Sequence, residues 1–428
     1  MTRFEVGDGP QTLSAARELD AADPLSGLRD RFAVDEDELY VDGNSLGLLS
    51  TDAEDALDRV VAEWKRLGVR GWTEATPPWF TYGERLGDRL APLVGAAPEE
   101  VVVANSTTVN IHTLVGTFYD PERGEEILVD ELDFPTDHYA VRAQLRARGI
   151  DPDDALRVVE SRDGRTIEED DVIAAIDDDV GMVFLPSVLY RSGQLLDIER
   201  IAEAARRAGA TVGFDLAHSV GVVPHELSEA GVDFAVWCHY KYLNAGPGAV
   251  AGLYVNDRHF GETPALAGWW GHDKETQFEM RRTYTPARSA GAWQIGTPPI
   301  LSAAPLDGAL DVTEAAGIET LRSKSVALTD FLVGLVDDRL PECTVGTPRE
   351  AERRGGHVAI EHPEGYRVTE ALKDRGVVAD FRPPNVVRVC PSPYYVGFED
   401  VFRVVERFEE VLETEAYERY DPRDGGVT

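Results

Sequence analysis

The sequence predicts an α/β fold, in which a mostly parallel, seven-stranded sheet forms a large domain and a smaller α+β C-terminal domain follows it. Between residues 100 and 255, short apolar segments alternate with amphipathic segments of helical period, a pattern typical of a parallel sheet covered by helices. After residue 305 the order changes to one long helical stretch, three short apolar strands and a closing helix. A chain of 428 residues is long enough for two such domains.

The chain begins with a segment of weak periodicity, and its first forty residues are expected to wrap around the outside of the protein. Residues 40–50 (YVDGNSLGLLS) predict a short strand and a turn of Gly, Asn and Ser, which leads into a helix over residues 51–67. A loop rich in Trp and Pro over residues 70–79 and a helix over residues 80–93 precede the regular alternation.

Seven apolar segments predict the strands of the large sheet. In chain order they are EVVVAN, EEILVD, ALRVVE, VGMVFLP, TVGFD, DFAVWCHY and AVAGLYV. Helices are expected from Thr107, after Pro135, and over residues 168–176 and 198–209. The seventh strand, over residues 249–255, is expected to return antiparallel.

The chain is expected to leave the large domain near residues 298–304. A helix over residues 317–335, the strands HVAIEH, GVVAD and NVVRVC, and a closing helix over residues 398–412 follow. We therefore expect three parts, which are an N-terminal segment over residues 1–50 that packs on the small domain, a large domain over 51–305 and a small domain over 306–428.

The charge of the chain limits its partners. The formal net charge is −36, which disfavours nucleic acids and anionic membranes because both carry the same sign of charge. The acidic residues are distributed along the chain rather than collected in a tail. This distribution suggests a halophilic protein from a cytosol of high salt concentration, where screening weakens the repulsion between the charges.

Targeting signals and cysteine pairs are also missing from the sequence. No apolar run reaches the length of a membrane span, and the N-terminus lacks the apolar stretch of a signal peptide, so we expect a cytoplasmic protein. The three cysteines, Cys238, Cys343 and Cys390, have neither CxxC spacing nor an even number. Reduced thiols and no metal site are therefore expected.

The segment DFAVWCHYKYLNAGPG, over residues 233–248, contains the first candidate for catalysis. Its Lys241 is one of only five lysines in a chain with 42 lysines and arginines together. Lysine can lose its proton and attack a carbonyl, whereas a guanidinium stays protonated in proteins. A solvated lysine at a strand end is the alternative, but the flanking Trp237, Tyr240 and Tyr242 favour a Schiff-base lysine.

Three further features lie where strands are expected to end, and ligands of open α/β sheets bind at those ends. Residues 105–110 (NSTTVN) open a helix and offer hydroxyls and backbone N–H groups to a phosphate, although an ordinary helix cap has the same composition. Phe134 and Asp137 begin another helix, a pattern also typical of a cap. Asp215, which ends the strand TVGFD, could keep a pyridinium nitrogen protonated.

Asp215 and Lys241 are separated by enough chain for a short crossover and one more strand. Both side chains could therefore face one ligand from neighbouring strand ends. A lysine, an upstream aspartate and a Ser/Thr phosphate turn are together what pyridoxal 5′-phosphate (PLP) requires.

Eight motifs extend this pattern across the chain: GNSLG, TVN, FPTDHYA, GFDLAHSVG, VDFAVWCHYKYLNAGPG, GWWGH, TPPI and RVCPSP. In this order they resemble the kynureninases, PLP-dependent hydrolases of the aspartate-aminotransferase-like fold type I. The resemblance runs from Asp42 to Phe398. It implies hydrolysis of L-kynurenine, or of 3-hydroxy-L-kynurenine, to L-alanine and anthranilate, or 3-hydroxyanthranilate, within tryptophan catabolism and with a link to NAD biosynthesis.

The resemblance assigns roles to residues of the cofactor site. Lys241 is expected to be the Schiff-base lysine, Asp215 the partner of the pyridine nitrogen, and Tyr240 a phosphate contact that also transfers protons. The other residues expected at the cofactor are Thr107, Thr108, Phe134, Asp137 and His218. Trp269 and Thr297 are expected to complete the phosphate site from the partner subunit of a homodimer.

The resemblance also implies a substrate site. Arg388 matches the arginine that binds the substrate α-carboxylate, a task that suits a bidentate donor. Asn44 and Ser45 are also expected at the substrate. Trp72 and Thr297 stand where animal members carry a histidine and an asparagine along the substrate ring, and the loss of two polar partners for a ring hydroxyl favours kynurenine over its 3-hydroxy form.

Two positions depart from the family pattern. Thr107 stands where animal members have leucine. Pro186 falls where some members place a serine beside the phosphate, and whether Ser187 replaces that serine stays open.

Two other functions are compatible with such a fold. A cysteine desulfurase or related PLP-dependent lyase needs a nucleophilic cysteine on a mobile loop, and none of the three cysteines has such a setting in the sequence. A non-catalytic protein that keeps the fold would be expected to lose Lys241, Asp215 or Arg388, all of which are present.

Overall fold

A computed structural model describes residues 11–422 of the protein. Its α-helices are Leu13–Ala22 (α1), Thr51–Leu67 (α2), Gly71–Glu74 (α3), Tyr82–Leu90 (α4), Thr107–Phe118 (α5), Pro135–Ala147 (α6), Pro152–Ala155 (α7), Glu169–Ala174 (α8), Ile198–Ala208 (α9), Leu227–Ala230 (α10), Ile300–Ala316 (α11), Ile318–Arg339 (α12), Gly365–Lys373 (α13) and Phe398–Glu413 (α14). Its β-strands are Leu39–Tyr40 (β1), Val101–Val103 (β2), Glu126–Asp130 (β3), Leu156–Val159 (β4), Val180–Pro186 (β5), Thr211–Asp215 (β6), Phe234–Trp237 (β7), Gly252–Val255 (β8), Thr344–Val345 (β9), Val358–Glu361 (β10), Val377–Val378 (β11), Asp380–Arg382 (β12) and Val386–Val389 (β13). Between residues 11 and 422, none of the helices combines the length and the apolar character needed to cross a membrane.

The large sheet has seven strands in the order β2-β8-β7-β6-β5-β3-β4. Strand β8 is antiparallel to both of its neighbours, and all other pairs are parallel. The prediction of a mostly parallel seven-stranded sheet with an antiparallel return is therefore confirmed. Strand β7 ends at Trp237, three residues before the predicted end at Tyr240, so Lys241 lies in the turn that follows the strand.

The middle of the sheet is buried on both faces. Along β5, Met182 and Phe184 join the apolar cluster formed with α5 and α6, whereas Val183 and Leu185 join the cluster formed with α9. This alternation follows from the two-residue period of a strand, and it explains why all seven residues of β5 are buried. Because helices cover both faces, the strand ends are where the sheet can bind a ligand.

The smaller sheet is antiparallel, with the strand order β12-β13-β10-β9. Its strands share an apolar cluster with α12, α13 and α14, to which Phe331, Ile360 and Phe408 contribute. The sheet and its helices form the α+β unit that the sequence predicts for the C-terminal part. Strands β12 and β13 place polar side chains at the edge of the large domain, where the site described below is found.

The N-terminal part of the described chain lies against these C-terminal elements. Strand β1 pairs in parallel with β11, where Leu39 is the partner of Val377. The side chains of Asp23 and Lys324 form a buried ion pair of 2.8 Å, which links the end of α1 to α12. Residues 1–10 of the predicted N-terminal segment lie outside the described residues, and the domain boundaries themselves stay a prediction.

The region after residue 298 contains one more helix than the sequence indicates. Helices α11 and α12 meet at Gly317, whose φ of +76° ends α11 and suits glycine. Helix α11 packs along α2, with Leu306 in the apolar cluster of the large sheet and Val312 in the cluster of the small sheet. The predicted boundary at residue 305 falls inside this helix. Because α11 is buried on most sides, it lacks the polar–apolar period by which a surface helix is recognised.

Candidate active site

A cavity of about 310 Å³ lies at the carboxyl ends of β5, β6 and β7. Residues from distant parts of the chain meet there, as expected for this edge of an open α/β sheet. The predicted site residues that line it are Asn44, Ser45, Thr107, Thr108, Phe134, Asp137, Asp215, His218, Tyr240, Lys241 and Arg388. A larger groove of about 790 Å³, bordered by α9 and α10, contains none of the predicted site residues.

The backbone of Lys241 is held by the GNSLG turn. The N–H group of Gly47 donates to the carbonyl oxygen of Tyr240 at 2.8 Å. A Cβ atom at position 47 would lie 2.5 Å from the carbonyl oxygen of Lys241 and 2.2 Å from Oδ1 of Asn244, so only glycine permits this approach. Two motifs separated by almost two hundred residues thus pack together and fix the position of the lysine.

The side chain of Lys241 contacts His218. Its Nζ atom lies 2.9 Å from Nε2 of His218. Burial, together with the positive charges of Lys241 and Arg388, holds the pKa of His218 well below its usual value. His218 is therefore neutral near pH 7, and its Nε2 can accept a hydrogen bond from Nζ of Lys241.

Three buried carboxyl groups, those of Asp133, Asp137 and Asp215, also line the cavity. Oδ1 of Asp215 accepts a hydrogen bond of 2.7 Å from the N–H of Ala217. Burial raises the pKa of Asp215, although the charge of Lys241 lowers it. Burial and the negative charge of Asp215 raise the pKa of Asp137 much further, and burial and the charge of Asp137 do the same for Asp133. Such a group of acids favours a positively charged partner.

The predicted phosphate turn has an open helix end. Asn105 adopts a left-handed conformation with φ of 57°, and its Nδ2 atom donates to Oδ1 of Asn110 at 2.8 Å. Ser106 is the N-cap residue of α5, but its side chain accepts no capping hydrogen bond. The helix start that carries Thr107 and Thr108 therefore lacks the usual side-chain cap, which leaves it suited to an anion.

The structure separates Pro186 from Ser187 at the end of β5. Pro186 lines the cavity. The hydroxyl of Ser187 is buried and lies 2.8 Å from the hydroxyl of Ser219, outside the residues that line the cavity. Ser187 therefore does not reach the cavity in place of a serine at position 186.

Two aromatic residues, Phe134 and Tyr240, line the cavity. Phe134 is 48% exposed and packs edge-on against Tyr190, with 5.3 Å between the ring centroids. The neighbouring Cys238 and burial raise the pKa of Tyr240 well above its usual value, so its hydroxyl stays protonated near neutral pH. Tyr240 can therefore donate a proton, and Phe134 offers a ring face to a planar ligand.

Arg388 lies on β13, an interior strand, and is 1% exposed. It donates to Asp380 through Nε at 2.7 Å and also through Nη2. Although burial opposes it, the hydrogen bonds and charge of Arg388 lower the pKa of Asp380. A second guanidinium, that of Arg382, also lines the cavity and was not predicted, because a single arginine in DFRPP carries no motif that distinguishes it.

Three of the predicted residues lie elsewhere in the chain. Trp72 and Thr297 border a second, apolar groove of about 440 Å³. Trp269 is 47% exposed and packs edge-on against Trp270 and Phe278. None of the three lines the cavity that contains Lys241, and their roles at a partner subunit stay predictions.

The buried polar atoms of the cavity that lack a hydrogen-bond partner within the described residues fit PLP. Both carboxylate oxygens of Asp137, Oδ2 of Asp133, Nδ1 of His218 and the side-chain amide of Asn44 are buried and have no hydrogen-bond partner within residues 11–422. Buried polar groups without partners are costly, so this set indicates a polar ligand. Acids for a ring nitrogen, an open helix start for a phosphate and a lysine for an aldehyde are all present. Over the same residues, no group of three or more His, Cys, Asp or Glu could hold a metal ion.

Comparison with known proteins decides the family. The chain is 50% identical over 412 residues to a curated kynureninase of Geobacillus thermodenitrificans, with 96% of each chain covered. It is 49% identical over 413 residues to the kynureninase of Bacillus mycoides, again with 96% of each covered. The chain belongs to the kynureninase family. A family model described as the kynureninase C-terminal domain also matches residues 321–408.

Two solved structures share the fold of this kynureninase family member. The cystine C–S lyase C-DES, in a mutant with glycine covalently linked to PLP, superposes with a TM-score of 0.78 at 20% identity, covering 89% of this chain and 99% of its own. A cysteine desulfurase from Thermococcus onnurineus superposes with a TM-score of 0.77 at 20% identity, covering 91% and 98%. At this identity the likeness shows the fold alone. The cofactor of the enzyme is PLP, as predicted.

Proposed function

We propose that this enzyme hydrolyses L-kynurenine to anthranilate and L-alanine. One water molecule is consumed as the bond between Cβ and Cγ breaks: the acyl carbon gains the oxygen of water, and Cβ gains a proton. The observation that carries the proposal is the contact of Lys241 with His218 in the cavity that Asp215 also lines, inside a chain about half identical to curated kynureninases over 96% of its length. The reaction belongs to tryptophan catabolism, and a route toward NAD biosynthesis is part of the same proposal.

The side chains of the cavity have separate roles in this reaction. PLP supplies an aldehyde for the substrate amine and a ring that withdraws electrons from the substrate. Lys241 carries the proton that leaves the substrate Cα, and His218 holds the lysine in place through its Nε2 atom. Asp215 keeps the proton on the ring nitrogen. Tyr240, whose raised pKa keeps its hydroxyl protonated, donates the proton that Cβ receives.

A desulfurase-like activity fits the structure less well. That chemistry needs an accessible thiolate. Burial raises the pKa of Cys343 to about 12, and burial also raises the pKa of Cys238, which lines the cavity. Cys390 is fully buried and its pKa is likewise raised to about 12. All three thiols are therefore protonated near neutral pH and poor nucleophiles.

A homodimer is part of the proposal, with each subunit completing the other's site. Trp64, which borders the groove of Trp72 and Thr297, is 59% exposed, and the large apolar side chains of Trp269 and Phe278 are 47% and 66% exposed. Large exposed apolar side chains of this kind are typical of protein–protein interfaces. A sedimentation mass of two chains supports the proposal, and a fully active single chain contradicts it.

The setting in which the enzyme works is also part of the proposal. A net charge of −36 favours a cytoplasm of high salt concentration, because screening then weakens the repulsion within the folded chain. Activity and stability are accordingly expected to rise as KCl is raised from millimolar to molar concentration.

The experiment that tests the function is a product assay on the PLP-loaded protein in molar KCl. Anthranilate is followed by its fluorescence and L-alanine is measured separately. The proposal expects both products in equal amounts from L-kynurenine. Release of sulfur from cysteine without release of anthranilate would favour the desulfurase-like alternative instead.

A further inference from the structure

Arg388 has little hydrogen-bonding capacity left for a substrate. A guanidinium carries five N–H donors, and four of those of Arg388 are in use. Nε and Nη2 donate to Asp380, Nη2 also donates to the hydroxyl of Ser45 at 2.9 Å, and Nη1 donates to the carbonyl oxygen of Tyr190 at 2.7 Å. Both bidentate edges of a guanidinium include Nη2, and both of its hydrogens are taken. Arg388 therefore offers a ligand one N–H, on Nη1, unless it releases Asp380 or Ser45.

The neighbouring Arg382, by contrast, still has a buried hydrogen-bond donor to offer a ligand. Its Nη2 atom lies 2.6 Å from Oδ2 of Asp380, the same oxygen that Arg388 and Ser45 contact. Its side chain lines the cavity and is only 13% exposed, and its Nε atom is buried with no partner among residues 11–422. A buried donor of a charged group costs free energy until an acceptor satisfies it. An acceptor that reaches this donor from the cavity is therefore favoured.

The charges around Arg382 and Arg388 indicate that this acceptor is negatively charged. Two guanidinium groups face one ionised carboxylate, that of Asp380. Burial, followed by the negative charge of Asp380, raises the pKa of the nearby Asp42 to about 7, so Asp42 carries only part of a negative charge at neutral pH. The cluster retains a positive excess that one further carboxylate would neutralise.

From these contacts we propose that Arg382 binds the substrate α-carboxylate together with Arg388. Asp380 is a positioning residue, because it orients both guanidinium groups through its two oxygens. The inference deepens the proposed function, since it names a second arginine for the carboxylate of the same substrate. Arg388 donates one hydrogen bond to this carboxylate through the remaining N–H of Nη1, and Arg382 donates the further hydrogen bonds that Arg388 cannot make.

The test compares ligands that differ only at the carboxylate. L-alanine and L-alaninamide are titrated into PLP-loaded protein, and the dissociation constants are measured by calorimetry for the parent, R382Q and R382K. R375Q is the matched control: Arg375 contacts Glu410, its side chain is 19% exposed, and it lies outside the cavity. Thermal unfolding of each variant reports on folding separately.

The proposal expects R382Q to weaken L-alanine binding by roughly 10- to 100-fold, the range for a lost charge-assisted hydrogen bond. Binding of L-alaninamide is expected to change less than about threefold, R382K to recover part of the loss, and R375Q to behave as the parent. Equal losses for both ligands, or a loss of PLP affinity in place of L-alanine affinity, would overturn the assignment to the carboxylate.

The outcome is separable from that of the proposed function. Binding of L-alanine requires no turnover, so the comparison of the two ligands tests the role of Arg382 even if L-kynurenine yields no anthranilate. A parent protein that does not prefer L-alanine over L-alaninamide also contradicts the proposal. With active enzyme, R382Q is expected to raise KM for L-kynurenine by the same factor while kcat changes less.

Discussion

Nζ of Lys241 lies 2.9 Å from Nε2 of His218, inside the cavity where β6 and β7 end. His218 comes from the loop after β6 and Lys241 from the turn after β7, so the contact depends on the pairing of these two parallel strands. The low pKa of His218 keeps the imidazole neutral near pH 7, so that its Nε2 can accept a hydrogen bond from Nζ of Lys241. The pair therefore holds the amine at a fixed place until a carbonyl reaches it.

Replacement of Lys241 by alanine is expected to abolish anthranilate release while the fold is retained. No other side chain that lines the cavity is an amine, so no other one there can form a Schiff base with the PLP aldehyde. The measurements are anthranilate fluorescence, thermal unfolding and borohydride trapping of the cofactor on the protein. K373A is the control, because Lys373 pairs with Glu370 far from the cavity. Residual turnover in K241A at the parent rate would end the assignment.

Asp215→Asn is expected to lower kcat by roughly 10- to 100-fold or more, because the amide cannot provide the charge that stabilises a protonated ring nitrogen. Stopped-flow turnover and the PLP dissociation constant measure the effect. The control is D197N: Asp197 caps α9 by accepting from the N–H of Arg200 at 3.0 Å, and asparagine caps helices as well as aspartate, so stability and kcat should both stay near the parental values. A D215N enzyme with parental kcat would contradict the role.

Trp72 and Thr297 are expected to set the preference for kynurenine over 3-hydroxykynurenine. Both border the apolar groove, and neither can match the polar pair found in animal members of the family. The double variant W72H/T297N is expected to raise kcat/KM for the hydroxylated substrate relative to kynurenine, by about 10-fold or more if a hydrogen bond to the hydroxyl forms. Parallel assays with both substrates measure the ratio. An unchanged ratio in the double variant would show that these positions do not contact the ring.

A pH dependence of stability follows from His239. Its Nε2 accepts from Nε1 of Trp237 at 2.8 Å, so protonation would break this contact. Burial lowers the pKa of His239 from 6.5 to about 4. Between these values the unfolded state binds more protons, so the stabilisation is complete above pH 6.5 and is lost as the pH falls toward 4, by at most about 1.4 kcal/mol per pH unit.

Urea unfolding of the parent and of H239Q at several pH values measures this difference. The difference in free energy of unfolding is expected to shrink from pH 6.5 to pH 4. H259Q is the control of opposite sign: although burial opposes it, the hydrogen bond to Asp233 raises the pKa of His259. The stabilisation from His259 is therefore present at low pH and lost as the pH rises through its folded pKa. A pH-independent difference for H239Q would contradict the account.

The sequence alone predicts the large sheet well because each of its strands is strongly apolar and bounded by turn residues. Helix α11 was not predicted from the sequence. Burial on most sides stabilises this helix, and it also removes the polar–apolar period by which a helix is recognised in a sequence. The cavity residues that belong to family motifs, such as Lys241 and Asp215, are predictable from the sequence. Arg382 is not, because only the folded structure brings it to Asp380 and Arg388.

Hydrolysis in water labelled with ¹⁸O tests the central claim most directly. The PLP-loaded enzyme is incubated with L-kynurenine in labelled water, and both products are analysed by mass spectrometry. If water adds to the carbonyl carbon as the bond between Cβ and Cγ breaks, anthranilate carries one labelled oxygen and L-alanine, analysed before any exchange, carries none. Unlabelled anthranilate, or no anthranilate from an enzyme that visibly holds PLP, would contradict the account.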